Sequence, residues 1–392
     1  MDAVAVGGRW AELALAVGGF GIGTGEFAMM GLLPNVAADF GVSVPTAGHV
    51  ISAYALGVVV GAPLIAVIAA RWARHRLLMT LMLCFAAGNV ASALAPGYAT
   101  FMAFRFVAGL PHGAYFGVAS LVAASLVPAD QRARAIGRMM LGLTGATLAG
   151  VPLATWIGQM LGWRAAYVLV GAIGAVTCAL ILRCVPRVAP VRGASPAREL
   201  GALRRKQVWL TLGVGSVGFG GLFCVLSYIS PTMTRVAGLP ERYVPLVLAV
   251  FGVGMILGNL IGSWLADRSL MRTIGGSLIW NAVALCLFSI AARHAWTETL
   301  VVLLVGMGVA IVPALQIRLM DVAADAQTLA ASLNHSAFNI ANALGAWLGG
   351  LAIVGGLGWA STGWVGALLA VGGLLIFAWS AASERGPRAV SG

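Results

Sequence analysis

Apolar runs of bilayer length recur twelve times along this chain, at about 11–33, 47–69, 77–95, 99–127, 136–159, 164–185, 208–230, 243–266, 273–292, 297–317, 328–354 and 359–381. A helix needs roughly 20 apolar residues to cross a bilayer. Unpaired backbone groups cannot face lipid, so runs of this length cross as helices. Sixty per cent of the 392 residues are hydrophobic and 9% are charged, whereas a soluble domain carries about a quarter charged residues. The chain therefore reads as an all-α polytopic membrane protein of 12 transmembrane helices.

A polar stretch divides the runs six and six. Pro186 to Lys206 holds Arg187, Arg192, Arg198, Arg204 and Arg205 among the turn formers Pro190, Gly193 and Pro196. The expected units are an N-terminal six-helix bundle (1–185), a basic linker (186–206) and a C-terminal six-helix bundle (207–392). The halves also repeat. Gly61 to Arg71 (GAPLIAVIAAR) aligns with Gly258 to Arg268 (GNLIGSWLADR) at an offset of 197, and Gly162-Trp163 aligns with Gly358-Trp359 at 196. Two pseudo-symmetric halves about a central site are an architecture of transporters that work by rocking.

The net charge of +12 would suggest nucleic acid in a soluble protein. Here the basic residues sit in short loops, which is how membrane topology is written. With the amino terminus inside, inner loops and termini hold 19 of the 24 basic residues and outer loops hold Arg164, Arg235, Arg242 and Arg293. Both termini are expected in the cytoplasm, and no nucleic-acid partner is expected. The five cysteines lack metal-ligand or pairing order. No Walker loop, HExxH motif or nucleophile elbow occurs, so ATP, a cofactor, a metal and enzymatic chemistry are not expected.

Two charges lie deep inside the apolar runs, away from their ends. Glu26 lies inside the first, and an ionised carboxylate at such depth is costly and tends to neutralise. A carboxyl that exchanges a proton there can couple transport to a proton gradient; an interfacial or purely structural place is the alternative. Arg105 lies inside the fourth run, and its head must face protein or water. It either serves the coupling or braces the bundle. His112 is two helical turns further on and Tyr115 one more; His112 is a satisfied buried histidine or part of a cavity wall. Phe27, Met29, Met30 and Tyr115 are placed to shape an apolar cavity. Asn334, His335, Asn339 and Asn342 are polar positions on the eleventh run, either bonding helices together or contacting substrate. Gly142, Gly145, Gly150, Gly158 and Pro152 let the fifth helix approach its neighbours closely. Asp267, beside Arg268, can cap a helix amino terminus across the interface near Arg134 or Arg138, or stand as a solvated loop charge. Its counterpart in the first half is Ala70.

These stretches resemble the major facilitator superfamily, and within it the twelve-helix drug:proton antiporter family with its arabinose-efflux and chloramphenicol-resistance branch. Thr24-Gly25-Glu26-Phe27 with Gly31-Leu32-Leu33-Pro34 is similar to the branch's first-helix motif. Arg105 with Gly109 matches the fourth-helix arginine motif that the family associates with proton coupling. Gly145 through Gly150-Val151-Pro152 to Gln159 is similar to the fifth-helix antiporter motif, and Asn334 to Asn339 with Gly345 to Gly350 is also similar to the branch. The loop after the second helix departs from the pattern: Ala70 and Ala73 replace its usual Asp and Gly, while Arg71, Arg74 and Arg76 remain. That shifts the conformational latch of the cytoplasmic gate (Arg71, Arg134, Arg138, Asp267, Arg268) toward the second copy.

The resemblance implies a proton-coupled efflux antiporter of small lipophilic drugs in a bacterial inner membrane, working as a monomer by alternating access. Glu26 would be the proton carrier and Arg105 its modulator. A sugar or nucleoside efflux permease of the same fold is the nearest alternative, and a non-transporting membrane sensor or scaffold is one of another class.

Overall fold

The computed structural model describes residues 2–42, 44–187, 196–240, 243–324 and 326–384. Residues 188–195 of the linker, Arg192 among them, lie outside the described residues, as do Arg242, Arg385 and Arg388. Among the described residues there are twelve long helices in two halves, and the first half comprises α1 (Asp2–Phe40), α2 (Val44–Ile68), α3 (Arg74–Ala93), α4 (Tyr98–Ser125), α5 (Arg132–Gly145, continuing through Val151–Leu161) and α6 (Trp163–Cys184). The second half comprises α7 (Lys206–Gly213, continuing through Gly220–Arg235), α8 (Val244–Arg268), α9 (Leu270–Ala291), α10 (Ala295–Met307, continuing through Ile311–Ala323), α11 (Gln327–Ala352) and α12 (Ser361–Glu384). Among the described residues, eleven helices are long and apolar enough to cross a bilayer by length and composition. α1 packs against α5 and α6.

The packing partners repeat with a shift of six helices. In the first half α2 packs on α4, α3 on α6, and α1 on α5 and α6; in the second, α8 packs on α10, α9 on α12, and α7 on α11 and α12. Missing side chains make the closest of these approaches possible. A Cβ at Gly57, Gly61 or Gly109 would run into backbone of the facing helix in the α2–α4 pair. Gly254, Gly258 and Gly306, each 197 residues later, stand in the same relation in the α8–α10 pair. Small residues that let backbones meet replace the hydrophobic effect as the cohesive device between helices in lipid. The turns into α6 and α12 repeat as well. Gly162 and Gly358 both take positive φ, 93° and 80°, a conformation that costs a residue with a Cβ but not glycine.

The halves meet through α2 and α4 against α11, and through α5 against α8. The end of the bundle where α6 ends and α7 begins is called here the linker face. Near it the contact is tight. A Cβ at Gly117 of α4 would overlap Ser332 of α11, one at Gly137 of α5 would crowd Ser263 of α8, and the Asn259 amide donates to the Gly137 carbonyl at 2.6 Å. Toward the opposite face the halves part around a cavity.

Candidate functional site

The cavity holds about 1000 Å³ and draws its walls from both halves. Phe27 and Ile51 line it from α1 and α2, Leu143, Thr147 and Pro152 from α5, Phe219, Phe223 and Leu226 from α7, and Met255 and Phe338 from α8 and α11. His112, Gln159, Asn259, His335, Asn339 and Asn342 add hydrogen-bonding groups. Among the described residues Glu26 is the carboxylate of this lining, and no arginine or lysine joins it. A mostly apolar wall with a few convergent polar groups is the usual form of a small-molecule site.

Arg105 lies behind that wall, 1% exposed. One amino group of its guanidinium donates to Asn89 Oδ1 at 3.2 Å and the other to the Gly25 carbonyl at 2.8 Å. Asn89 is oriented by its own amide, which donates to the Phe85 carbonyl at 2.8 Å. The guanidinium lies over the rings of Tyr54 and Tyr167, 4.4 and 5.0 Å from their centroids. Cation–π contacts of this kind gain in strength when water is absent. The glycine-mediated approach of α2 to α4 is what brings Tyr54 under the arginine. Tyr54 also reaches His112, with its hydroxyl 3.1 Å from Nδ1.

Glu26 and Arg105 form no direct ion pair among the described residues. Arg105 holds the carbonyl of Gly25, the residue before Glu26, and Glu26, half-buried, faces the cavity. The backbone is the link between them. A charge beneath the wall therefore acts on the carboxylate without neutralising it by contact.

Several residues expected to line the cavity point elsewhere. Tyr115 is fully buried and donates to the Leu15 carbonyl at 2.9 Å, so it fastens α4 to α1. Met29 is buried with its sulfur 3.3 Å from the Tyr167 hydroxyl. The side chain of Met30 lies outside the described ones. Asn334 donates to Gln316 Oε1 at 2.5 Å, a bond between α11 and α10 away from the cavity. Phe27, His112 and Asn339 do line it, and the Asn339 Oδ1 and His335 Nε2 atoms are buried without a partner among the described residues. The seven-residue and four-residue spacings along α4 and α11 could not distinguish the cavity side from the packing side, because both faces of these helices are covered.

On α5 the three motif residues serve different ends. Gly150 receives Thr24 and Phe20 of α1, Pro152 lines the cavity, and Gly145 meets nothing close. Gly142 is the tighter contact, where a Cβ would overlap the Ala16 carbonyl. A widened turn over Ala146–Gly150 precedes Pro152, which has no N–H to donate back into the helix.

At the linker face Asp267 sits at the amino terminus of α5. It accepts from the backbone N–H groups of Ala133 (2.8 Å) and Arg134 (3.2 Å) and from Arg134 Nε (2.6 Å). Arg138 instead pairs with Glu12 of α1 through two bonds of 2.5 and 2.7 Å. From sequence alone Glu12, near the start of the first run, reads as an interfacial charge. Arg268 stacks on Trp264 of its own helix, 3.3 Å from the ring centroid, and Arg71 is exposed, with no ion pair among the described residues. A further carboxylate, Glu298 at the start of α10, is fully buried with neither oxygen partnered among the described residues, and it lies outside the cavity lining. No cluster of three His, Cys, Asp or Glu side chains suited to a metal ion occurs among the described residues.

The model of the Major Facilitator Superfamily matches residues 15–268 and 213–391 of the chain. The inner membrane transport protein YdhP of Escherichia coli (strain K12) is 41% identical over 373 residues, covering 95% of this chain and 96% of that protein. The chloramphenicol resistance protein of Streptomyces lividans is 34% identical over 340 residues, covering 84% and 86%. In fold alone, the chain is similar to the crystal structure of the human organic anion transporter MFSD10, with a TM-score of 0.75 at 16% identity over 95% of this chain and 99% of that one.

Proposed function

This chain belongs to the major facilitator superfamily, and from that membership and the geometry above we propose that it is a proton-coupled antiporter exporting small lipophilic compounds. The observation that carries the proposal is Glu26, the carboxylate in the wall of a large apolar cavity, with the buried Arg105 cation held on the adjacent Gly25 carbonyl. An acid placed in this way can hold a proton or favour its loss, depending on what fills the cavity. Substrate entering from one side displaces the proton; the proton, returning from the other side, displaces substrate. The resistance named for one relative is in keeping with lipophilic cargo, as are the Phe, Leu and Val side chains of the lining.

The arginine bias of the loops supports an inner-membrane orientation with the linker face and both termini in the cytoplasm. In that orientation the cavity is open to the outside, and the contacts of α4 with α11 and of α5 with α8 are the closed cytoplasmic gate. Alternating access then consists of rocking the halves about the cavity until these contacts part. Arg105 acts as the modulator of Glu26.

The test is Glu26→Gln in proteoliposomes under an imposed pH gradient, read as export of a lipophilic dye or drug. Gradient-driven export falls at least tenfold, while downhill exchange of substrate and membrane insertion persist. Gradient-driven export at the wild-type rate would refute the assignment of Glu26.

A further inference from the structure

The two halves solve one electrostatic problem with carboxylates from different sources. The first four N–H groups of a helix lack intrahelical partners, and the helix dipole adds positive charge there. At the linker face α5 and α11 both begin against the opposite half. Asp267, at the end of α8, caps α5 on the Ala133 N–H. The helix related to α5 by the internal repeat is α11, and Leu329 lies 196 residues after Ala133. Strict symmetry would cap Leu329 with the counterpart of Asp267, at the end of α2. That position is Ala70, whose methyl group accepts nothing.

The Leu329 N–H is capped all the same. It donates to Glu199 Oε2 at 2.9 Å. Glu199 belongs to the short linker helix Pro196–Leu200 and is 5% exposed. That helix lies against α2 and α11. Ala202 just after it is fully buried in one apolar cluster with Ala66 of α2 and with Ala323, Leu329 and Ala330 of the second half. Arg74 at the start of α3, one of the arginines left in the loop that lacks its aspartate, is near enough to Glu199 to interact electrostatically.

We propose that Glu199 supplies from the linker the carboxylate that position 70 lacks, and thereby straps α2 to α11 in the state closed at the linker face. Glu199 is a positioning residue and does not touch substrate. Opening at this face separates α2 from α11, so the strap must release one of them. The inference rests on the alternating-access reading above.

The experiment uses the full-length chain in a cysteine-free background, reconstituted in lipid nanodiscs. Spin labels at positions 76 and 272 report distance across the linker face, and a second pair at 94 and 296 reports the opposite face. All four are exposed. With Glu199→Ala the ratio of linker-closed to linker-open molecules falls about tenfold, the size expected from losing one charged helix cap. Ala70→Asp, added to Glu199→Ala, restores the ratio by providing the cap along the symmetric route. Where Glu199→Ala gives no monodisperse folded protein, Glu199→Gln takes its place. It keeps an acceptor, loses the charge and gives about a threefold shift, again reversed by Ala70→Asp.

An unchanged linker-face distribution in the Glu199 variants would overturn the proposal, as would failure of Ala70→Asp to reverse the shift. Asp267→Asn separates the two levels of the argument. If it opens the linker face while Glu199 variants do not, the strap alone is wrong. If no variant, pH or substrate moves either pair of labels, the alternating-access reading falls with it.

Discussion

The two ends of the seam between the halves are built differently. At the linker face they are joined by polar bonds: Asp267, part-buried, on the start of α5, and, buried, the Asn259 amide on the Gly137 carbonyl and Ser336 near the Val58 carbonyl at 3.5 Å. At the opposite face the described polar contacts stay within a half. Asp39 pairs with Arg164 and Tyr98 with the Thr46 carbonyl in the first, while Tyr228 donates to the Ala346 carbonyl in the second. A seam that is polar at one end and, among the described residues, unbridged at the other is what the proposed rocking of the halves requires. In the proposed alternating access the polar end serves as a reversible latch, because each bond made between protein groups can be exchanged for one with water when the face opens. An apolar seal of equal area would have no such exchange, and opening it would be correspondingly costlier.

The greatest disturbance of this contrast is expected from packing. Gly117→Leu puts a side chain where α4 touches the backbone of Ser332. Overpacking of this kind costs typically about 1–3 kcal/mol, enough to invert the population at the linker face and leave distances at the opposite face unchanged in the closed fraction. Electron spin resonance with labels at 76 and 272 checks it; a linker-closed majority in the variant would mean that this contact does not hold the face shut. Asp267→Ala follows, with a loss of roughly 2 kcal/mol from closure, since it removes two N–H caps and the Arg134 partner together. Its effect should exceed that of Glu199→Ala, which uncaps the N–H of Leu329 where Asp267→Ala uncaps two. The reverse order would indicate that the α2–α11 side carries more of the latch than the α5–α8 side.

Much of this was legible in the sequence, for physical reasons that differ from residue to residue. Twelve helices followed from run length, because about 20 continuous apolar residues satisfy their backbone in lipid as a helix, whereas a barrel strand needs only about 9–11. The repeat was readable from Gly162-Trp163 and Gly358-Trp359, which need glycine for a positive φ in both halves. Glu26 stood out because a carboxylate in an apolar run has few neutral explanations. What could not be read was direction. Tyr115 and Met29 sit on helices covered all round, so spacing could not tell a cavity wall from a helix contact. The partner of Arg138 was hidden for a related reason: Glu12 lies 126 residues away in sequence and looks like an ordinary interfacial charge. Glu199 was masked by its surroundings, a lone acid in a linker dominated by arginine. Only the close approach of that linker to α11 gives it a role.

The weakest disturbance should come from the unbridged end, and it tests whether charge alone makes a latch. Asp39 and Arg164 form a 2.6 Å ion pair, but each side chain is 41% exposed and both belong to the first half. The hydrogen bond from Arg164 holds the Asp39 carboxyl below its usual value of 3.8, against a smaller opposing push from burial and with help from the Trp163 indole N–H. A carboxyl depressed in the folded state contributes stability that is fully present above its unfolded value and is lost as pH falls through the folded one. The contribution is therefore constant from pH 8 to pH 5 and disappears only below 3.8. Discounted for solvent, it amounts to about 0.5 kcal/mol or less. Asp39→Asn should lower the thermal midpoint in detergent by a degree or two at pH 7, equally at pH 5.5, and leave the distance across the opposite face as it was. A midpoint difference that grows between pH 8 and pH 6, or a change in that distance, would show that this face too is held by charge, and the contrast between the two ends of the seam would have to be abandoned.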